Sequence, residues 1–129
     1  MVREIKFRGK PIGDLGNTEW VYGSAILNYE DELAYIEAPG LGTIPVQWET
    51  VGQFTGLKSK KNGKEIYEDD LVEGINYGFN KPKLYIGKVV YVYAEYVVRG
   101  VKEHKNIRDE LNVTYDVVGN VHDNSELVE

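Results

Sequence analysis

The sequence predicts an all-β protein with helix only at its margins. Three observations carry that reading. Short segments alternate apolar and polar residues with the period of two that a strand requires, and Gly, Asn, Asp and Pro separate them. Tyrosine supplies most of the aromatic residues, 10 against 3 Phe and 2 Trp, and its ring packs on a pleated sheet while its hydroxyl reaches water. Helical periodicity is nearly absent.

The elements follow in chain order. Arg3 to Phe7 alternates, placing Ile5 and Phe7 on one face. Trp20 to Leu27 follows a Gly/Asn turn region and is rich in aromatic and aliphatic residues. Leu33 to Ala38 is a second run, with Asn28-Tyr29-Glu30-Asp31 as its hairpin connection and Pro39-Gly40-Leu41-Gly42 as its close. Thr43 to Trp48 fits an edge strand, because Pro45 cannot donate to a ladder. Leu57 to Lys64 centres on Asn62-Gly63, a hairpin signal in which both residues tolerate positive φ. Gly74 to Pro82 is a longer loop carrying Tyr77 and Phe79.

Leu84 to Arg99 is the longest β signal and exceeds a typical strand. It is either one long bent strand or two strands meeting near Ala94-Glu95. Lys102 to Leu111 reads as an exposed helix or as a polar hairpin loop, with Ile107 and Leu111 its few apolar positions. Thr114 to Val121 gives a last strand, and Asn124-Ser125 caps a terminal turn.

A chain of 129 residues is one ordinary domain, or two small subdomains sharing a core. Cysteine is absent, which removes disulfides, thiolate catalysis and sulfur-ligated metals. The charged N-terminal stretch lacks a signal-peptide apolar run, and no segment approaches a membrane span, so the expected location is the cytoplasm of a bacterial host. Charge is uneven. Residues 1–64 hold 8 basic and 8 acidic side chains; residues 65–129 hold 7 and 13, so the formal charge of −6 sits in the second half. Nucleic-acid affinity comes largely from neutralised phosphates, so duplex binding is disfavoured.

Three segments in order resemble the YopX family of phage and prophage proteins. The first is Arg3-Glu4-Ile5-Lys6-Phe7-Arg8, followed by Trp20-Val21-Tyr22-Gly23. The second is Thr50-Val51-Gly52-Gln53-Phe54-Thr55-Gly56-Leu57-Lys58 with Asn62-Gly63-Lys64-Glu65-Ile66-Tyr67-Glu68. The third is Tyr115-Asp116-Val117-Val118-Gly119-Asn120-Val121-His122. Where family members usually have glycine after Tyr-Glu, this chain has Asp69. The resemblance implies two all-β subdomains, residues 1–55 and an SH3-like barrel over residues 56–129, with Leu84 to Arg99 as the barrel's long bent strand. It implies a phage or prophage origin and brings no established activity.

No residue pattern selects a catalytic site, a metal site or a cofactor. His104 and His122 are the only imidazoles. Glu68-Asp69-Asp70, beside Glu65 and Glu73, is an acidic turn whose strand geometry would split its side chains between faces. Gly56 to Lys64 lacks the glycine spacing of a phosphate-binding loop. Ser24, Ser59 and Ser125 sit outside any nucleophile context.

The residues therefore point to binding. The expected function is a non-enzymatic protein-binding module, an adaptor or inhibitor docking on a bacterial or phage protein, with self-association into a homo-oligomer also open. Aromatic anchors dominate such interfaces, and Tyr77, Phe79, Tyr85, Tyr91, Tyr93 and Tyr96 are the candidates. Against that, Tyr77 and Phe79 would fold back onto the core, and Tyr91 and Tyr93, with Val90, Val92 and Tyr96 on the other face, would form a strand buried on both sides. One alternative is single-stranded nucleic-acid binding through Lys58, Lys60, Lys61 and Lys64. Another is a small nucleotide bound in a pocket between the subdomains.

Overall fold

The computed structural model describes residues 3–78 and 81–129. The chain divides into two compact units, Met1–Phe54 and Thr55–Glu129. Each is built from antiparallel strands.

The first unit contains β1 (Phe7–Gly9), β2 (Val21–Asn28), β3 (Leu33–Ala38), β4 (Gly42–Val46) and the start of β5 (Gly52–Lys58), in the order β4-β3-β2-β1-β5. Alternation decides which face is buried. Strand β3 turns Ala34, Ile36 and Ala38 inward, where they meet Val21 and Val46, with Phe7, Leu27 and Trp48 packed against them. Its other face shows Leu33 and Tyr35 to solvent. Pro45 lies on edge strand β4, opposite Tyr35, where its missing N–H costs no ladder bond. Strand β1 begins only at Phe7, so the alternation expected from Arg3 overreached, and Ile5 is exposed. Asn28 Oδ1 accepts the Asp31 N–H (3.0 Å) and so shapes the β2–β3 turn. A 3₁₀ turn at Trp48–Thr50 is fixed by buried Thr50, whose Oγ1 donates to the Gln47 carbonyl (2.7 Å) and accepts the Lys10 N–H (2.9 Å).

The second unit holds the end of β5, then β6 (Glu65–Tyr67), β7 (Asp70–Asn76), β8 (Lys83–Val92), β9 (Glu95–Gly100), β10 (Arg108–Glu110) and β11 (Asp116–Asn120). Its main sheet runs β10-β9-β8-β7-β11, with a bulge in β11 between Val117 and Gly119. Among the described residues β10 and β11 are the two edges, so the pairing does not close into the ring that a barrel implies.

Leu84 to Arg99 is two strands, β8 and β9, rather than one bent strand. Lys102 to Leu111 is neither helix nor simple loop. A 3₁₀ turn at Lys102–His104 leads into β10, and Ile107 and Leu111 enter the core with Ile66, Val72, Tyr85, Val89, Val98 and Tyr115.

Tyr115 organises that core. Its ring lies so close to Gly74 that a Cβ there would stand 2.4 Å from ring atoms, which is why a strand interior tolerates glycine at this point. Its hydroxyl donates to Asp109 Oδ2 (2.8 Å) and shares a hydrogen bond with the Tyr85 hydroxyl. Burial pushes both phenols above the usual tyrosine value, and for Tyr115 the bonds to Tyr85 and Asp109 push the same way.

Candidate functional site

Among the described residues, the most exposed aromatic side chain of the second unit stands on a two-residue turn. The ladder of β8 and β9 ends at the Val92–Glu95 pair, which leaves Tyr93 and Ala94 as a two-residue connection. A connection that short must match the right-handed twist of its strands, and the type I′ turn does so with positive φ at both central residues. Tyr93 has φ 50° and Ala94 φ 64°. Asn and Gly are the usual occupants, because an L residue with a full Cβ pays about 1–2 kcal/mol in the left-handed region. The sequence Tyr-Ala therefore stores strain at a loop tip. Such strain concentrates at sites where the backbone serves something besides folding.

The strain displays aromatic surface. Tyr93 is 91% exposed and Tyr91 56%. Tyr91 pairs directly with Tyr96 across the strands, the rings meeting edge to face with centroids 4.9 Å apart. Tyr96 thus shares a face with Tyr91, and the doubly buried strand expected for this stretch is not formed at its end. The Tyr96 hydroxyl reaches Glu68 Oε2 (3.4 Å), and Arg108 Nη2 lies 3.5 Å from Glu95 Oε1. These side contacts brace the hairpin below its tip.

The other expected anchors do not join this group. Tyr85 is buried in the core and cannot dock on anything. Tyr77 is exposed, but it precedes β8 while Tyr91 and Tyr93 close it. Ten residues of strand span roughly 30 Å, so the two aromatic positions are separate. Phe79 lies outside the described residues.

Lys58, the last residue of β5, and Lys60, Lys61 and Lys64 on the connection to β6 are all exposed. That connection is the hairpin expected around Asn62-Gly63. It covers residues 59–64, and only Gly63 adopts positive φ, 72°. Buried Ser59 anchors it: its Oγ donates to Asp116 Oδ1 (2.6 Å), its N–H to the Lys64 carbonyl (2.8 Å), and its carbonyl accepts the Gly63 N–H (2.7 Å). A lone serine in a lysine-rich segment carries no sequence signal for that role.

The acidic triplet disperses. Asp70 is buried and accepts the Tyr67 N–H at 2.7 Å. Asp69, which stands where the resemblance places a glycine, takes the left-handed conformation, φ 68°, and its carboxylate lies 3.6 Å from His122 Nε2. Aspartate tolerates that region better than most residues, so the turn forms without glycine. His104 packs its ring edge against Tyr85 and places Nε2 3.4 Å from Glu103. Among the described residues no three His, Asp or Glu side chains gather as a metal would require, and no helix is long and apolar enough to cross a membrane.

Comparison with known proteins adds identity but no chemistry. No curated protein matches the sequence. The crystal structure of protein EF1440 from Enterococcus faecalis is similar at 23% identity and a TM-score of 0.47, covering 99% of this chain and 100% of that one. The family model described as YopX protein matches residues 14–129. That match takes in β2 to β11 and both tight turns, and the chain belongs to the YopX family.

Proposed function

We propose that this chain is a non-enzymatic protein-binding module, an adaptor or inhibitor that docks on a bacterial or phage protein through the tip of the β8–β9 hairpin. The observation that supports it is the pairing of strain with exposure at one place. Two residues sit at positive φ without being glycine, and one of them holds a tyrosine ring almost wholly in solvent. A tyrosine has only two side-chain torsions to fix, so it loses little conformational freedom on docking, and it offers a large amphipathic surface. Tyr91 and Tyr96 extend that surface down the hairpin.

The lysine connection supports nucleic-acid binding less well. Single-stranded binding combines cations with stacking rings, and here the four lysines and the exposed tyrosines stand on different hairpins.

The test is differential capture from a bacterial lysate, with nuclease present. The native chain is compared with a Tyr91→Ser/Tyr93→Ser variant and with a Lys60→Ala/Lys61→Ala variant. The expected result is a protein that the native chain and the lysine variant retain and the tyrosine variant loses. Equal capture by all three, or capture that nuclease abolishes, overturns the reading.

A further inference from the structure

A cavity of about 350 Å³ in the second unit is lined by Lys88, Arg99 and Lys105 and floored by Val101, Val121 and Val128, with no acidic residue in its wall. That composition runs against the local charge. Residues 65–129 carry 7 basic and 13 acidic side chains, yet three of the seven cations meet here unaccompanied. We infer that this cavity is a binding site for a small phosphate-bearing molecule, with the phosphate on the three cations and a short apolar or sugar body on the valines.

Register gives the first argument. Lys88 and Arg99 are direct cross-strand partners on β8 and β9, and Arg99 is in turn the partner of Arg108 on β10. Directly opposed like charges destabilise a sheet. Glu95 offsets the charge on Arg108 at 3.5 Å. Among the described residues no acidic side chain does the same for Lys88, Arg99 or Lys105. A bound dianion would turn that repulsion into three charge-assisted contacts, and an arginine beside a lysine matches phosphate with one fork and one point charge.

The second argument is preorganisation. Lys88 and Arg99 rise from paired strands. The loop bearing Lys105 is tied down by three backbone bonds: Gly100 N–H to the Ile107 carbonyl (2.9 Å), Val101 N–H to the Ile86 carbonyl (3.2 Å) and Lys105 N–H to the Lys102 carbonyl (3.3 Å). The volume lies at the small end of the range for small-molecule pockets, roughly 300–1,000 Å³, so the ligand is a phosphorylated sugar or mononucleotide rather than a polymer.

The experiment titrates the full chain with ribose 5-phosphate, adenosine 5′-monophosphate and inorganic phosphate, with ribose and adenosine as uncharged controls. It reads both heat and backbone amide shifts. The expected result is saturable binding of the phosphorylated probes only, with the largest shifts at Lys88, Arg99, Val101 and Val121. Arg99→Gln, and separately the exposed loop variant Lys105→Gln, should each weaken binding at least tenfold, the loss expected for a hydrogen bond to a charged group. Without ligand, Arg99→Gln should be no less stable than the native chain, because it relieves repulsion. The inference is overturned if no phosphorylated probe binds at millimolar concentration, if adenosine binds as tightly as its monophosphate, or if shifts centre on Lys58 to Lys64 and both variants bind normally.

Discussion

Replacing the tip of the β8–β9 hairpin by the residues its geometry favours should make the protein more stable and less able to bind. In the variant Tyr93→Asn/Ala94→Gly both φ values, 50° and 64°, become unstrained or nearly so. Each L residue in that region costs about 1–2 kcal/mol; glycine removes the cost and asparagine part of it. Against this, glycine gives the unfolded chain about 0.4–1 kcal/mol of extra entropy. Removing the Tyr93 ring forfeits little burial, because the residue is 91% exposed. The net gain is about 1–1.5 kcal/mol.

For a chain of this length that corresponds to a rise in Tm of roughly 3–8 °C, or a higher urea midpoint at unchanged slope. The choice of probe matters. Both tryptophans, Trp20 and Trp48, lie in the first unit, so their fluorescence reports that unit. The gain should therefore be sought in far-ultraviolet circular dichroism and in hydrogen exchange of the β8 and β9 amides. A variant that is less stable than the native chain refutes the assignment of strain to this turn. A variant that is more stable and captures every partner of the native chain refutes the assignment of function.

Three further outcomes follow from the second unit. Ser59→Ala removes the bond to Asp116 at 2.6 Å from a buried site and should cost about 1–2 kcal/mol, whereas Lys60→Ala and Lys61→Ala beside it should cost almost nothing; urea melts compare them. Gly74→Ala sets a methyl 2.4 Å from the ring of Tyr115, which its bonds to Asp109 and Tyr85 hold in place, and should destabilise by about 1–3 kcal/mol. Tyr85 and Tyr115 have folded-state pKa values raised above the usual 10.0, so the unfolded chain loses their protons first. Stability is then complete below that pH and falls above it, by about 1.4 kcal/mol per pH unit for each phenol. Melts between neutral and strongly alkaline pH check the slope, which Tyr85→Phe should reduce.

The strands were legible where composition and alternation agreed, as in Leu33 to Ala38 and the Val- and Tyr-rich stretch after Leu84. Turns were less so. Asn62-Gly63 announced the β5–β6 hairpin, but not that Ser59 would anchor its loop over residues 59–64, in which Asn62 has no need of positive φ. The break near Ala94-Glu95 was one of two readings of that stretch, but Tyr93-Ala94 gave no turn signal, because neither residue favours the left-handed conformation found there. The cation cavity was out of reach for a different reason. Lys88 and Arg99 are eleven positions apart, and only the β8–β9 register makes them neighbours. Burial of Tyr85 likewise depends on which face of β8 meets Tyr115, and composition does not fix that.

The non-glycine left-handed residues differ in what they gain for their strain. Among the described residues these are Glu32, Asp69, Tyr93, Ala94 and Lys102. Asp69 has a residue type suited to the conformation, a backbone bond from its N–H to the Val89 carbonyl (3.0 Å), and a side-chain contact with His122. Glu32 and Lys102 are single positions in connections of four and seven residues, where neighbours share the bend. Tyr93 and Ala94 have none of these supports. They are consecutive, they make up the whole connection, and the ring that Tyr93 carries is almost entirely in water. The same chain places Asn-Gly at 62–63, where the backbone asks for one left-handed residue, and Tyr-Ala at 93–94, where it asks for two. Folding alone would favour the reverse arrangement. The exposed ring at the strained position therefore argues for a role in recognition.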